Sequence, residues 1–161
     1  MSTELEDDLV NKFGATRIGN DLPEKVETLA NEVYQSLGAG WKEYQYQKAL
    51  ANKIRDLGYE VMEEKTLQNA KLYFGKGCRV DIYVNYGSDT ESAIIELKAV
   101  KKLTLKHHEQ IATYLEIERR NGHPVQYGLL INFPTSPTTN FGRNVEFSQG
   151  WGYWTNKVRT Y

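Results

Sequence analysis

Apolar residues recur at helical spacing in three segments of the chain. Asp21 and Pro23 mark the start of the first helix, which we expect to end at Gly38, because aspartate caps helices and proline is favoured in their first turn. The same spacing predicts a second helix over residues 41–57 and a third over residues 104–120.

Strand-like runs lie between and after these helices. The predicted strands are Tyr59–Glu64, Lys71–Phe74, Arg79–Tyr86, Ala93–Val100 and Val125–Phe133, followed by a loop over 134–144 and by edge strands or a cap at 145–147 and 151–154. The turn Gly87–Thr90 indicates that the strands on either side of it pair in antiparallel fashion. The order of elements predicts an α/β fold, with helices packed on a sheet.

Length and composition favour one domain with a substantial core, since the chain has 161 residues and 40% of them are hydrophobic. We expect an acidic lead-in over residues 1–20, a main domain over 21–147, and an aromatic extension over 148–161 that packs on the same domain. The net charge of −1 gives no overall electrostatic reason to bind nucleic acid or a membrane, so any anion-binding surface must be local.

The single cysteine, Cys78, excludes an internal disulfide framework and a zinc site built from several thiolates. It favours a reducing intracellular compartment such as the cytoplasm. The N-terminus is acidic and has no apolar core typical of a signal peptide, and no apolar run reaches transmembrane length. We therefore expect a protein that is neither secreted nor held in a membrane.

The stretch AIIELKAV, residues 93–100, places two opposite charges in an otherwise apolar strand. Strand side chains alternate between faces, so Glu96 and Lys98 share one face while Ile95, Leu97 and Ala99 share the other. In the preceding strand, the same alternation puts Val80, Ile82 and Val84 on one face and Asp81 on the other. A simple ion pair between Glu96 and Lys98 is one interpretation of this pattern.

A metal site is the other interpretation. If the two strands pair through the turn at 87–90, Asp81 comes close to Glu96, and two adjacent carboxylates repel each other unless a cation lies between them. Oxygen ligands suit Mg²⁺ or Mn²⁺. Lys98 could then orient a metal-activated water or stabilise charge on a phosphate.

Further polar residues lie on the second and third predicted helices. His107, Gln110 and Tyr114 fall on one face of the third helix, and Glu43 lies at the start of the second. These side chains converge on the strand carboxylates if both helices cover the same face of the sheet. For Tyr114 the alternative is core packing, and for His107 it is a helix cap.

These motifs resemble the PD-(D/E)XK nuclease superfamily, in particular its RecB-like branch with a Gln-x-x-x-Tyr helix. Gly40, Glu43 and Tyr46, followed by RVD, IIELKAV, LTLKHHEQIATYL and YGLLINF, resemble the GxxExxY proteins of that superfamily over about residues 25–147. Val80 stands where the superfamily name has proline. The resemblance implies a restriction-endonuclease-like core, with a central mixed sheet flanked by helices.

The resemblance also implies roles for individual residues. Asp81, Glu96 and the Leu97 carbonyl would ligate Mg²⁺ or Mn²⁺, Lys98 would position the attacking water, and Glu43 would lie near the metal. Gln110 and Tyr114 would contact the nucleic acid backbone, and His107 matches a recurring histidine. The expected activity is hydrolysis of phosphodiester bonds, with DNA as the expected substrate and a homodimer as one arrangement. Substrate contact could also come from the local basic set Lys98, Lys101, Lys102, Lys106, His107 and His108.

Two alternatives share this fold. One is a non-catalytic nucleic-acid-binding module, against which the presence of every acidic and basic motif residue argues. The other is a protein-interaction domain that uses the aromatic tail, namely Trp151, Tyr153, Trp154 and Tyr161. Such aromatics are more often core or cap residues than partner sites.

Overall fold

The computed structural model describes residues 21–88, 90–123, 125–136 and 144–151. The predicted lead-in over residues 1–20 and most of the predicted aromatic extension, residues 152–161, lie outside the described residues. The elements in chain order are α1 (Leu22–Leu37), α2 (Glu43–Asp56), β1 (Val61–Thr66), α3 (Ala70–Phe74), β2 (Arg79–Val84), β3 (Ala93–Lys98), α4 (Leu105–Arg120), β4 (Tyr127–Asn132) and β5 (Glu146–Trp151).

The three predicted long helices are confirmed, and local chemistry explains where they begin and end. The Asp21 carboxylate accepts the Glu24 N–H at 3.1 Å, which caps α1. Gly38 ends that helix with a φ of 81°, a conformation that glycine adopts without strain. Helix α4 begins after Thr104, as predicted, and ends before Asn121.

The five strands form one mixed sheet in the order β1-β2-β3-β4-β5. Strand β2 pairs with β1 and with β3 in antiparallel fashion, β3 and β4 are parallel, and β5 is antiparallel to β4. The parallel pair needs a crossover, and α4 provides it. This arrangement confirms the predicted α/β fold with a central mixed sheet flanked by helices.

Each face of the sheet carries its own hydrophobic cluster. On one face α1 and α2 pack against Ile82, Ile95 and Leu129. On the other face α4 packs against Tyr83 and Ile94. Strand β3 is therefore covered on both sides, which explains why its sequence is nearly continuously apolar.

The condition under which the residues of the second and third predicted helices would converge, that both helices cover the same face, is not met. Helices α2 and α4 lie on opposite faces, because a sheet whose central strands are apolar on both sides needs a helix layer on each. The functional residues of the two helices therefore approach the strand carboxylates from different sides of the sheet.

The predicted strand Lys71–Phe74 is also wrong, because residues 70–74 form the short helix α3. Asn69 and Gly75 bound it with left-handed backbone conformations. Ala70 is buried, while the Leu72 side chain is 78% exposed. Aromatic and branched residues favour strands only where a pleated surface is available, and this segment has none.

The last strand, β5, forms one edge of the sheet. The sequence had left segments 145–147 and 151–154 open as edge strands or a cap. Strand β5 pairs with β4 from Tyr127↔Trp151 to Asn132↔Glu146, and the predicted boundary after residue 147 falls within it. None of the helices in the described ranges is both long and apolar enough to cross a membrane.

Candidate active site

Asp81 occupies the point where strands β2 and β3 separate. Regular pairing of the two strands reaches Ile82↔Ile95 and goes no further toward the site. Beyond it, the Asp81 carboxylate accepts the backbone N–H of Leu97 at 2.7 Å, so a side chain replaces the next ladder hydrogen bond. The half-buried carboxylate is thereby fixed beside β3.

The separation of the strands corrects one prediction about side-chain faces. Ile82 and Val84 pack in the cluster beneath α1 and α2, as alternation predicts. Val80 instead packs in the opposite cluster, together with Tyr83. The regular alternation of β2 thus breaks at Asp81, where the strand leaves its neighbour.

Glu96 and Lys98 share a face of β3, as predicted. Glu96 is buried, with 4% of its surface exposed, and its Oε2 lies 3.5 Å from Lys98 Nζ. Its second oxygen, Oε1, is buried and has no hydrogen-bond partner among the described residues. The ion pair therefore exists, but it uses only one of the two carboxylate oxygens.

Both strand carboxylates are shifted toward their protonated forms. Burial raises the pKa of Asp81, and the charges of Glu64 and Glu43 add to the rise, while the Leu97 N–H opposes it. Burial likewise raises the pKa of Glu96, and repulsion from Asp81 raises it further, against the opposing effect of Lys98. The two carboxylates are therefore close enough to repel each other, which is the situation that a cation would relieve.

The backbone of Leu97 faces the same space. Its N–H points toward β2, and in a strand the N–H and C=O of one residue point to the same side. The Leu97 carbonyl is therefore directed toward the side on which Asp81 lies. This orientation is compatible with the predicted role of Leu97 as a backbone ligand.

Gln110 and Tyr114 approach from α4. The Gln110 amide donates a hydrogen bond of 2.9 Å to the Tyr114 hydroxyl, so the two residues act as one unit. Tyr114 also belongs to the hydrophobic cluster beneath α4, as its alternative interpretation predicts. Burial raises the pKa of Tyr114, and the charge of Glu96 is the next largest cause of that rise.

His107 caps its own helix. Its Nδ1 accepts the backbone N–H of Thr104 at 3.0 Å, which satisfies one of the free donors at the start of α4. The neutral ring therefore carries its proton on Nε2. Burial and the nearby positive charges of Lys98 and His108 lower the pKa of His107, which keeps the ring neutral near pH 7.

Glu43 is the first residue of α2, and its position depends on Gly40 and Tyr46. Gly40 has a φ of 97°, and the buried Tyr46 donates its hydroxyl to the Gly38 carbonyl at 2.7 Å. These two residues hold the turn that precedes the exposed Glu43. Its negative charge affects the pKa of both Asp81 and His107, although α2 and α4 lie on opposite faces.

Lys101 and Lys102 are exposed in the loop between β3 and α4. Two residues that the sequence analysis did not single out hold this loop in place. The fully buried Asn132 accepts the Val100 N–H at 2.9 Å, and Glu146 accepts the Leu103 N–H at 3.0 Å. Asn132 also donates to Glu146 at 2.7 Å, so β4 and β5 together position the lysines.

Glu64 and Arg79 are further neighbours of the site that the sequence analysis missed. Glu64 lies within β1 with a φ of 56°, and its carboxylate pairs with Arg79 at 2.8 Å. Its charge contributes to the raised pKa of Asp81. Nothing in the alternating pattern of β1 distinguishes Glu64 from a solvent-facing residue.

The residues present fit a divalent metal ion. Asp81 and Glu96 supply two carboxylates whose repulsion a cation would relieve, and Glu96 Oε1 is an acceptor without a partner among the described residues. No group of three or more His, Cys, Asp or Glu side chains in the described ranges is arranged to hold a metal. Mg²⁺ commonly binds through one or two carboxylates and completes its shell with water and substrate phosphate, so two carboxylates suffice.

Comparison with known proteins gives one match. The model of the PD-(D/E)XK nuclease superfamily matches residues 20–144, well over half of the chain. No curated protein and no solved structure matches the chain significantly. The matched region contains every described helix and strand except β5, and the mixed sheet agrees with the fold of that superfamily. The chain belongs to the PD-(D/E)XK nuclease superfamily.

Proposed function

We propose that this chain hydrolyses phosphodiester bonds in nucleic acid, DNA being the expected substrate, with Mg²⁺ or Mn²⁺ as cofactor. One observation carries the proposal. Asp81 contacts the Leu97 N–H, next to the buried Glu96, at the point where β2 and β3 separate, and Lys98 Nζ lies 3.5 Å from Glu96. Membership in a superfamily of nucleases supports it.

The metal site would consist of Asp81, Glu96 and the Leu97 carbonyl. A metal bound there supplies a Lewis acid that polarises the phosphate and lowers the pKa of a bound water. Asp81 keeps its orientation through the Leu97 N–H, and Glu96 Oε1 has no hydrogen-bond partner within the described part of the chain. The chain thus holds its ligands in place without rearrangement.

Lys98 would position the attacking water and stabilise the negative charge that develops on the phosphate. Its side chain is 15% exposed, so its ammonium is shielded from bulk water. Electrostatic interactions are stronger in such a site because the effective dielectric constant is lower than in water. Glu43, at the start of α2, would orient the same water or a second one from the opposite side of the site.

The remaining predicted residues would bind substrate. Gln110 and Tyr114 form a hydrogen-bonded pair beside Glu96, and His107 presents an N–H from Nε2. Lys101 and Lys102 are exposed in a loop that Asn132 anchors, where they could contact phosphates further along the strand. Binding through these lysines would weaken as salt concentration rises.

We further propose that the chain is of the GxxExxY, RecB-like type within the superfamily. The structure gives a physical reason for that motif here: Gly40 provides the positive φ, Tyr46 fixes the turn, and Glu43 is left exposed. A homodimer would allow two such sites to cut both strands. Light scattering of the protein with and without duplex DNA tests this arrangement, and a mass of one chain under both conditions would contradict it.

The test is a cleavage assay on labelled linear, circular, single-stranded and branched DNA, with Mg²⁺, Mn²⁺ or EDTA. Wild-type protein is compared with Glu96→Gln, purified in parallel. Glu60→Gln provides the matched control, since Glu60 is an exposed glutamate that precedes β1. We expect metal-dependent cutting by wild type and by Glu60→Gln, and a loss of several orders of magnitude in Glu96→Gln.

Two results would contradict the proposal. Cutting that is equal in Glu96→Gln and wild type would come from a different site or a contaminant. Absence of cutting on every substrate, with salt-sensitive DNA binding intact, would instead support a non-catalytic binding module on this fold.

A further inference from the structure

A cleft of about 650 Å³ lies between the segment that leads into β2 and helix α4. The segment 76–79 forms one wall, and the N-terminal half of α4 forms the other. Gln110 and Tyr114 line it, and the charge of Glu96 contributes to the raised pKa of Tyr114. Arg79, also in the lining, lies two residues before Asp81 in β2, so the cleft adjoins the strand that carries one of the proposed metal ligands.

The charge of the cleft favours an anion. Its lining includes three cations, Lys76, Arg79 and Lys106, and a single carboxylate, Glu109. Arg79 is paired with Glu64 at 2.8 Å, at the end of the cleft that leads to Asp81. The positive surplus contrasts with the net charge of −1 for the whole chain, so it is a local feature of this surface.

The size of the cleft favours a narrow ligand. Its volume falls within the range of roughly 300–1000 Å³ that is typical of small-molecule pockets. Such a space accommodates one or two nucleotides of a single strand.

We propose that this cleft binds an unpaired strand of nucleic acid, holds its phosphates with Lys76 and Lys106, and leads the strand to Asp81 and Glu96. The inference rests on the proposed nuclease function and specifies its substrate class. A positively charged groove that follows the backbone of one strand is the usual way in which single strands are bound without sequence preference. Gln110 and the neutral His107 provide hydrogen-bond donors along the same wall.

The first experiment measures binding in EDTA, where no hydrolysis occurs. Fluorescence anisotropy compares a labelled single strand with a blunt duplex of the same length, for wild type and for Lys76→Gln/Lys106→Gln. Lys53→Gln is the matched control, because Lys53 is a partly exposed lysine on α2 whose partner is Glu32, on α1. We expect tighter binding of the single strand by wild type and by the control than by the double variant.

Salt dependence gives a second readout of the same binding. Each phosphate contact that is lost lowers the steepness of log affinity against log salt concentration by about 0.7 for a single strand. We therefore expect the double variant to show a shallower slope by about twice that amount, while Lys53→Gln retains the wild-type slope. A merely structural effect of the substitutions would change stability and leave the slope unaltered.

Cys78 provides a direct probe of occupancy, since it lines the cleft and is the only cysteine in the chain. Burial raises the pKa of its thiol, so alkylation is measured at mildly alkaline pH. We expect a saturating single strand to slow the alkylation of Cys78 by N-ethylmaleimide several-fold. An equal concentration of blunt duplex should leave the rate unchanged.

The outcomes separate this inference from the nuclease proposal. If wild type binds the single strand and protects Cys78 but never cuts, the cleft assignment holds and the nuclease proposal fails. If wild type cuts with metal, yet the double variant binds single strands as wild type does and Cys78 is not protected, the cleft assignment is overturned. Preferential binding of blunt duplex would overturn it as well.

Discussion

The Asp81 carboxylate accepts the backbone N–H of Leu97 at 2.7 Å, at the position where the pairing of β2 with β3 has ended. The Asp81 side chain thus accepts a hydrogen bond that a backbone carbonyl of β2 would accept in a regular sheet. The contact fixes the Asp81 carboxylate beside β3, on the side toward which the Leu97 N–H and carbonyl point. In the proposed site, a metal and a phosphate would bind where the two strands separate.

Substitution of Asp81 should stabilise the metal-free protein while it abolishes metal binding. In Asp81→Asn the amide oxygen can still accept the Leu97 N–H, but the repulsion with Glu96 and the burial of a charge are removed. A gain of about 1 kcal/mol would raise the Tm by roughly 2–4 °C for a domain of this size. Thermal unfolding in EDTA measures this gain.

The same unfolding experiment with Mg²⁺ or Mn²⁺ tests metal binding. Wild type should gain stability as metal is added, because the metal binds the folded state. Asp81→Asn should show no such gain, while Asp56→Asn, an exposed carboxylate at the end of α2, should behave as wild type. A lower Tm for Asp81→Asn in EDTA, or an undiminished response to metal, would contradict the assignment.

The hydrogen bonds of Glu63 should stabilise the protein in a way that is lost in acid and that does not involve the proposed site. This residue of β1 accepts hydrogen bonds from α2, namely from Gln47 at 3.2 Å, Lys48 at 3.1 Å and Arg55 at 3.0 Å. Burial alone would raise the pKa of Glu63, but the bonds from Lys48, Gln47 and Arg55 outweigh it and hold the pKa below its ordinary value.

A depressed pKa in the folded state stabilises the protein above the unfolded pKa of 4.5, and that stabilisation is lost as pH falls through the folded value. Glu63→Gln should therefore cost about 1 kcal/mol at pH 7, and its difference from wild type should disappear in acid below the ordinary pKa of glutamate. Urea unfolding across this pH range measures the difference. A cost that stays constant with pH would show that the charge of Glu63 contributes nothing.

Tyr83 and Glu118 form a buried hydrogen bond beneath α4. Neither residue belongs to the proposed site. The Tyr83 hydroxyl donates to Glu118, which also accepts Asn121 Nδ2 at 3.1 Å. Tyr83→Phe should cost about 2 kcal/mol of stability, because a buried carboxylate loses a donor. Cleavage by the folded variant should be unchanged.

A double-mutant cycle checks this interpretation. In Tyr83→Phe/Glu118→Gln the remaining buried group is neutral, so the double variant should be less destabilised than the sum of the two single variants. Strict additivity in urea unfolding would contradict a direct interaction between the two side chains.

The hydroxyl of Tyr46 should matter for the turn that carries Glu43. It donates to the Gly38 carbonyl at 2.7 Å, and its ring stacks on Phe133 with centroids 4.2 Å apart. Tyr46→Phe keeps the stacking and removes the hydrogen bond, so we expect a loss of about 1 kcal/mol in urea unfolding. The matched control is Tyr44→Phe, since Tyr44 is 65% exposed; an equal loss in both variants would refute the prediction.

The parts of the fold that the sequence predicted are those that local chemistry determines. The cap at Asp21 and the end at Gly38 bound α1 as expected, and the alternation in β3 correctly placed Glu96 and Lys98 on one face. The short helix α3 was missed because strand preference depends on a neighbouring strand, which residues 70–74 lack.

The parts of the site that the sequence did not predict depend on long-range placement. Apolar spacing shows that α2 and α4 each bury a face, but it does not say which face of the sheet each one covers. Glu64 looks like any exposed strand residue, and only the fold brings it near Asp81. Asn132 did carry a signal, since a polar residue that ends the apolar run of β4 needs a buried partner.

The central claim is that Asp81, Glu96 and Lys98 form a metal-dependent nuclease site, and the rate of cutting by Lys98→Ala tests it most directly. The measurement is a single-turnover cleavage rate at saturating Mg²⁺, together with the metal-induced rise in Tm, for wild type, Lys98→Ala and the control Lys53→Ala. We predict that Lys98→Ala keeps the rise in Tm but cuts slower by orders of magnitude, while the control matches wild type. Cutting by Lys98→Ala at the wild-type rate would contradict the account.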